Sequence, residues 1–155
     1  MPDGEWLLQM SEFIESALND QRFHKLYLLW RYKRDDGKLP ARSDFDPLEM
    51  PHLLRYLCIM DVERKPLRIR VRLVGTALVE AMGQDTTGRY MDELEGTRQV
   101  ISRMHHMIRT SQPYFAADLP VTWTSQDHAT YSVLGLPLAS DGTNVDKLMF
   151  MMLFD

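Results

Sequence analysis

Leu73-Val-Gly-Thr76, followed closely by Gly83-Gln-Asp-Thr-Thr-Gly-Arg89, is the part of the sequence that most restricts the choice of fold. It lies between a strand in which charged and apolar residues alternate and an amphipathic helix predicted near 97–111. That order is typical of a small α+β domain with a cavity between its sheet and its helices. Without this segment the sequence would indicate only an α+β domain.

Length and charge limit the class of protein. The chain has 155 residues, which is enough for one domain. It carries 18 basic and 22 acidic residues, and this net charge of −4 argues against a general nucleic-acid binder. A single cysteine, Cys58, excludes an internal disulfide framework and predicts a cytoplasmic location. No apolar run approaches the roughly 18 residues that a membrane span needs.

The first 54 residues are predicted to form a helical lead-in. Seven apolar residues fall on one face of a first helix: Trp6, Leu7, Met10, Phe13, Ile14, Ala17 and Leu18. We expect this face to cover the sheet or to contact a second subunit. The candidates for a dimer or partner contact are Trp6, Met10, Phe13 and Ile14.

A second helix is predicted over about 21–34, with Gly37 as its terminator. Its apolar stripe consists of Phe23, Leu26, Tyr27 and Trp30. A loop over 39–47 leads to a short helix that runs to about Leu54. Asp46 is its predicted N-cap, Pro47 its first residue and Glu49 its third, which is a capping-box pattern.

Residues 55–155 are predicted to form a core built on five strands. The predicted strands are 56–63, 67–75, 113–123, 128–139 and 146–154. The second strand carries three arginines on one face and so suits an edge, and Pro120 places the third at an edge too. The first and fifth are apolar on both faces and should be central. Short hairpin links then give an antiparallel sheet of order 2-1-5-4-3, with helices near 77–82 and 97–111 inserted between strands two and three.

This order, together with local motifs, resembles the PAS-domain family, and in particular short bacterial PAS proteins with a helical lead-in. The resemblance covers about 25–155. Its motifs are Leu39-Pro-Ala-Arg-Ser-Asp-Phe-Asp-Pro47, Asp61-Val62, Arg72-Leu-Val-Gly-Thr76, Gly83 with Asp85, and Thr87-Gly88-Arg89. Within them, Gly75, Thr76, Gly83, Asp85, Thr87, Gly88 and Arg89 are expected to define the fold rather than the chemistry.

The resemblance implies a sensory or signalling domain that acts through protein contacts, and not an enzyme. Because the chain ends at Asp155, directly after the fifth strand, the expected output lies in another protein. We expect a homodimer, an unidentified signalling partner and a small ligand in the cavity between sheet and helices. A ligand-free dimeric adaptor, whose methionines fill that cavity, remains the alternative.

Ten residues are predicted to point into the cavity. They are Ile69, Val71, Leu73, Met82, Met104, Met107, Phe115, Trp123, Tyr131 and Val133, with Tyr114 as the alternative to Phe115. Trp123 and Tyr131 can donate hydrogen bonds to a ligand as well as pack. The competing interpretation is that these side chains simply fill a core.

Two cofactor hypotheses follow from the resemblance, although no cofactor is the expectation. His105 and His106 lie on the helix that lines the cavity in PAS domains, and haem-binding members use a histidine of this helix. Only one of them can ligate iron, because adjacent side chains on a helix point about 100° apart. Cys58 lies in a predicted strand, whereas the reactive cysteine of flavin-binding relatives lies on a helix, so flavin photochemistry is not expected.

The remaining polar clusters favour simpler explanations. Asp118, Asp127 and His128 share a predicted hairpin, but their spacing matches no metal site, and we expect no metal. A basic patch protects a sheet edge rather than binding an acidic partner: Arg64, Lys65, Arg68, Arg70 and Arg72. No catalytic arrangement of serines or paired carboxylates is found.

Overall fold

The computed structural model describes residues 18, 20–123 and 130–155. Three α-helices are present among them: α1 (Gln21–Tyr32), α2 (Thr76–Met82) and α3 (Arg98–Thr110). The strands are β1 (Leu57–Glu63), β2 (Arg68–Val74), β3 (Tyr114–Pro120), β4 (Thr130–Leu138) and β5 (Lys147–Phe154). Four 3₁₀ turns link them: Arg42–Asp44, Pro47–Glu49, Leu54–Tyr56 and Met91–Glu93. The predicted first helix, with Trp6, Met10, Phe13 and Ile14, lies outside the described residues, as does the start of the predicted fourth strand.

The five strands form one antiparallel sheet of order β2-β1-β5-β4-β3, which confirms the predicted order. The first and last strands pair directly, with Leu57 opposite Met151 and Asp61 opposite Lys147. Lys147 Nζ also donates to Asp61 Oδ1 at 2.6 Å across this pair. The centre of the sheet is therefore formed by the first and the last strand in the sequence.

Helix α1 covers one face of the sheet. Asp20 caps it by accepting from the Arg22 backbone N–H at 2.8 Å, and its buried residues are the predicted stripe Phe23, Leu26, Tyr27 and Trp30. Trp30 Nε1–H donates to the carbonyl oxygen of Pro137 in β4 at 3.0 Å. The helix ends at Tyr32, two residues earlier than predicted. Gly37 lies instead in a turn closed by the Asp35–Lys38 bridge.

The predicted short helix after Asp46 is two separate 3₁₀ turns. Asp46 caps the first as predicted: it accepts from Leu48 N–H at 2.9 Å, and its own N–H donates to Glu49 Oε1 at 3.3 Å. Pro51 stops further winding, since it has no N–H and disfavours helical backbone at Met50, which adopts φ −142°. An N-terminal cap alone was therefore insufficient to sustain a helix here.

The Gly75–Thr76 pair begins α2, and Gly83 ends it. Gly75 is the N-cap, and a Cβ there would lie 2.3 Å from the carbonyl oxygen of Arg55, so only glycine allows this close approach. Gly83 adopts left-handed backbone at φ +76°, the usual end of a helix. Within the described part of the chain, no helix is both long and apolar enough to cross a bilayer.

The Thr87-Gly88-Arg89 motif covers the exposed edge of β2. Gly88 N–H donates to the Val71 carbonyl at 2.8 Å, and Val71 N–H donates to the Arg89 carbonyl at 2.9 Å. Asp85 fixes the preceding turn by accepting from the N–H and the hydroxyl of Thr87 at 3.0 and 2.6 Å. These motif residues complete the sheet edge, which is a structural role.

Candidate functional site

A cavity of about 60 Å³ lies between the sheet and helices α2 and α3. Helix α1 packs on the other face of the sheet, so the cavity belongs to the face that α2 and α3 cover. Its wall is almost entirely apolar. Five methionines contribute to it: Met60, Met82, Met91, Met104 and Met152. The other lining residues are Cys58, Val71, Val74, Leu78, Thr86, Leu94, Val100, Tyr114, Trp123, Tyr131, Val133 and Phe150.

Six of the ten residues that the sequence assigned to the cavity line it. These are Val71, Met82, Met104, Trp123, Tyr131 and Val133. Tyr114, the alternative to Phe115, lines it as well. Ile69, Leu73, Met107 and Phe115 do not. Ile69 and Met107 are buried elsewhere in the core.

Leu73 and Phe115 point to the sheet face opposite the cavity, because the alternation of side chains along each strand places them there. The β1–β2 register shifts so that Ile59 pairs with Leu73 whereas Met60 pairs with Val71, and this bulge turns Leu73 away from the side that Val71 faces. Phe115 follows Tyr114, so it points to the opposite face. There its ring meets Phe23 of α1 edge-on, with centroids 5.2 Å apart.

Two polar contacts connect the elements around the cavity. Trp123 Nε1–H donates to Met82 Sδ at 3.3 Å and so joins the chain after β3 to α2. Arg103 of α3 donates from Nη2 to the Tyr131 hydroxyl oxygen at 3.1 Å. Burial raises the pKa of Tyr131, an effect that the Arg103 guanidinium partly opposes. The tyrosine is therefore neutral at physiological pH, and none of the described lining residues carries a charge.

Next to Trp123 of the cavity wall, Gly96 packs closely against Thr122. Thr122 Oγ1 donates to the Gly96 carbonyl oxygen at 2.7 Å. Next to this contact, the Trp123 ring lies edge-on against Tyr131, with centroids 4.7 Å apart. The contact of Gly96, just before α3, with Thr122 thus helps to position Trp123, which lines the cavity.

Gly135, which the sequence did not single out, lies under two aromatic rings of the cavity wall, Tyr114 and Phe150. A Cβ at Gly135 would lie 2.8 Å from the Tyr114 ring and 2.9 Å from the Phe150 ring. The absent side chain lets both rings pack over β4, with centroids 6.2 Å apart. A glycine inside a strand was the available signal, since it often marks such a close approach.

As it stands in this structure, the cavity is smaller than a site for haem or flavin. Sites for cofactors of that size occupy roughly 300 to 1,000 Å³, several times the volume present. His105 and His106 are half-buried on α3, but neither lines the cavity. His106 lies beside Arg109, and burial together with this charge lowers its pKa. Neither of the two α3 histidines is thus presented to an iron in the cavity.

Cys58 is a cavity residue with an unreactive thiol. It is fully buried, and burial raises its pKa to about 12. Because the thiolate is the nucleophile, we predict that iodoacetamide at pH 8 modifies Cys58 at least about a hundredfold more slowly in the folded protein than in urea. Mass spectrometry over time measures this. Equal rates would contradict the buried position.

Two residues of the predicted basic patch, Arg68 and Arg70, make local contacts. Arg68 binds Asp92 through two hydrogen bonds of 2.8 and 2.7 Å, and its guanidinium lies 3.6 Å from the Tyr90 ring centroid. Arg70 Nε donates to the Gly88 carbonyl at 3.1 Å. Both side chains therefore help to attach the 88–92 segment to the β2 edge.

No group of three potential metal ligands occurs in residues 18, 20–123 and 130–155. Asp118 of the predicted metal cluster lies at a bulge in β3, where its backbone has φ +57°. Asp127 and His128 lie outside the described residues.

Comparison with known proteins identifies the fold. A fungal LOV domain photoreceptor is 16% identical, with a TM-score of 0.52 over 95% of this chain and 99% of that one. A LOV protein from Rhodobacter sphaeroides is 10% identical, with a TM-score of 0.50 over 71% of this chain and 68% of that one. The PAS domain of histidine kinase ThkA is 10% identical, with a TM-score of 0.48 over 62% and 96%. No curated protein sequence matches this chain.

The family match extends over most of the sequence. The family model described as PAS domain matches residues 19–153. PAS domains are generally sensory modules, and the family match indicates no enzymatic family. This chain belongs to the PAS domain family.

Proposed function

We propose that this PAS domain senses a small, uncharged, apolar molecule in its cavity and passes the signal on through protein contacts. The observation that carries the proposal is the cavity wall, in which five flexible methionines surround a space of about 60 Å³. Methionine side chains adapt their shape at little cost, so the cavity can enlarge around a ligand. The apolar, uncharged wall favours a hydrophobic ligand over a charged metabolite.

The contacts around the cavity provide a way for a ligand to act on the surrounding elements. A ligand that displaces the Met82 side chain removes the acceptor of the Trp123 indole N–H. Trp123 is then free to move with the chain after β3, while Met82 moves with α2. Binding would therefore favour a second arrangement of α2 and the Trp123 segment, provided that the ligand binds that arrangement more tightly.

Methyl NMR of the full chain tests this function. With labelled methionine methyl groups, we expect benzene to shift the signals of Met60, Met82, Met91, Met104 and Met152, which line the cavity. The signals of Met50 and Met149, which are buried elsewhere, serve as the internal control. Val133→Phe places a ring in the cavity and should abolish the shifts. Unchanged cavity signals at saturating benzene would reject the ligand hypothesis.

We further propose that the protein is a cytoplasmic homodimer with a signalling protein as its partner. The support is the apolar stripe of the predicted first helix within the lead-in of residues 1–54. Trp6→Asp and Ile14→Asp are each expected to turn the dimer into a monomer, as measured by analytical ultracentrifugation. A variant that stays fully dimeric would exclude this interface.

A ligand-free adaptor is the second candidate function. Its support is the small volume of the cavity, since 60 Å³ is less than half of the roughly 150 Å³ of an engineered cavity that binds benzene. Under this alternative the methionines fill the core and a partner protein alone shifts the helices. The benzene titration separates the two candidates.

A further inference from the structure

A second concavity, on the surface, lies where α1 begins. Its wall includes Arg22 at the first turn of α1, Leu54, Arg55 and Tyr56 of the last 3₁₀ turn, and Leu73 near the end of β2. We call this surface the Leu73 groove. It is separate from the methionine-lined cavity, with which it shares only Val74 among the residues of the two walls.

The floor of the Leu73 groove is apolar and exposed. Leu73 is 44% exposed and Leu54 is 37% exposed. The bulge in β2 produces this exposure, because it turns Leu73 away from the cavity. Apolar side chains grouped in a groove are typical of a docking surface.

Guanidinium groups border this floor. Arg22 and Arg55 lie 4.8 and 5.6 Å from the centroid of the Tyr56 ring. Arg22 is paired with Asp20, and Arg55 lies 3.7 Å from Glu80 in a more open contact. A guanidinium has five N–H donors, so Arg55 can bind a second carboxylate. The groove thus suits a segment that combines apolar and acidic side chains.

Residues 1–17 have that composition and connect directly to the groove. They contain four acidic residues, Asp3, Glu5, Glu12 and Glu15, and no lysine or arginine. Their apolar residues recur at helical spacing. The segment joins Leu18, only four residues before Arg22 in the groove wall, so its local concentration at the groove is high.

We propose that residues 1–17 dock in the Leu73 groove of their own chain, with apolar side chains on Leu54 and Leu73 and a carboxylate at Arg55. The proposal is independent of any ligand in the cavity. It also predicts competition, since residues that fill the groove are not free to form a dimer contact at the same time.

Hydrogen exchange of the full chain, followed by mass spectrometry, tests the docking. Leu73→Glu is expected to speed exchange of the amides in residues 1–17 by about tenfold or more, because it places a carboxylate in the apolar floor. Leu67→Glu is the matched control: Leu67 is 40% exposed but lies at the opposite end of β2, outside the groove. Unchanged exchange in β4 and β5 verifies that both variants fold. Equal exchange of residues 1–17 in the two variants would overturn the proposal.

A charge exchange tests the role of Arg55. Arg55→Glu should speed exchange of residues 1–17, and adding Glu12→Lys and Glu15→Lys should restore the protection. Failure of this rescue would overturn the carboxylate contact. Protection that rises with protein concentration would overturn docking within one chain, because it would place the segment of a second copy in the groove. The dimer proposal is tested separately by ultracentrifugation of the unmodified chain.

Discussion

Gly96→Ala is expected to lower the free energy of unfolding by about 3 kcal/mol or more, through two additive effects. The first is conformational: Gly96 has φ +76°, where a side chain costs about 1 to 2 kcal/mol. The second is steric. A Cβ at this position would lie 1.8 Å from the carbonyl oxygen of Thr122 and 3.1 Å from the Cα of Trp123, and these backbone atoms cannot rotate away.

Gly37→Ala is the matched control for this prediction. Gly37 has φ +74°, but no atom lies within 4 Å of the position of its Cβ. It therefore reports the conformational cost alone, about 1 to 2 kcal/mol. Urea unfolding of both variants measures the difference. Equal losses in the two would mean that the chain at Thr122, just after β3, shifts easily and that Gly96 does not fix it.

The same substitution also tests how Trp123 is held in the cavity wall. If the Gly96–Thr122 contact is forced apart, Trp123 should lose its edge-on contact with Tyr131 and its hydrogen bond to Met82. We expect a red-shifted tryptophan emission in Gly96→Ala at denaturant concentrations where the protein remains folded. Gly37→Ala should leave the emission unchanged.

The fold was predictable because its strands differ in how apolar and charged residues are distributed on their two faces. Strands β1 and β5 are apolar on both faces, and β2 carries arginines on one face, so their central and edge positions follow from burial alone. Short hairpin links then leave few ways to order the remaining strands. The 3₁₀ turns after Asp46 were less predictable, because a capping box signals the start of a helix and says nothing about its length.

The cavity was harder to predict because its position depends on strand phase. A single extra residue in β2 turns Leu73 away from the cavity wall. Likewise, Tyr114 lines the cavity whereas Phe115, one residue later, points to the opposite face of the sheet. The central strands present a different difficulty. Because both of their faces are apolar, no pattern distinguishes Met60 and Met152, which face the cavity, from neighbours that face α1.

Trp30→Ala is expected to cost about 3 to 5 kcal/mol of unfolding free energy, because Trp30 anchors α1 to the sheet. Its side chain is almost fully buried, and its indole N–H donates to the Pro137 carbonyl oxygen in β4. Trp30→Phe retains most of the ring contact but loses the hydrogen bond, so a smaller cost of about 1 kcal/mol is expected. Urea unfolding monitored by circular dichroism measures both.

Leu28→Ala on the same helix is the control, since Leu28 is 41% exposed and its loss should change stability by less than about 0.5 kcal/mol. The comparison bears on signalling as well as on stability. Helix α1 joins residues 1–17 to the sheet, and the opposite face of that sheet forms the cavity. If Trp30→Ala were as mild as Leu28→Ala, α1 would be only loosely attached, and a change at the cavity would have no rigid route to residues 1–17. A large loss would mean that α1 is firmly attached to the sheet, as transmission from the cavity requires.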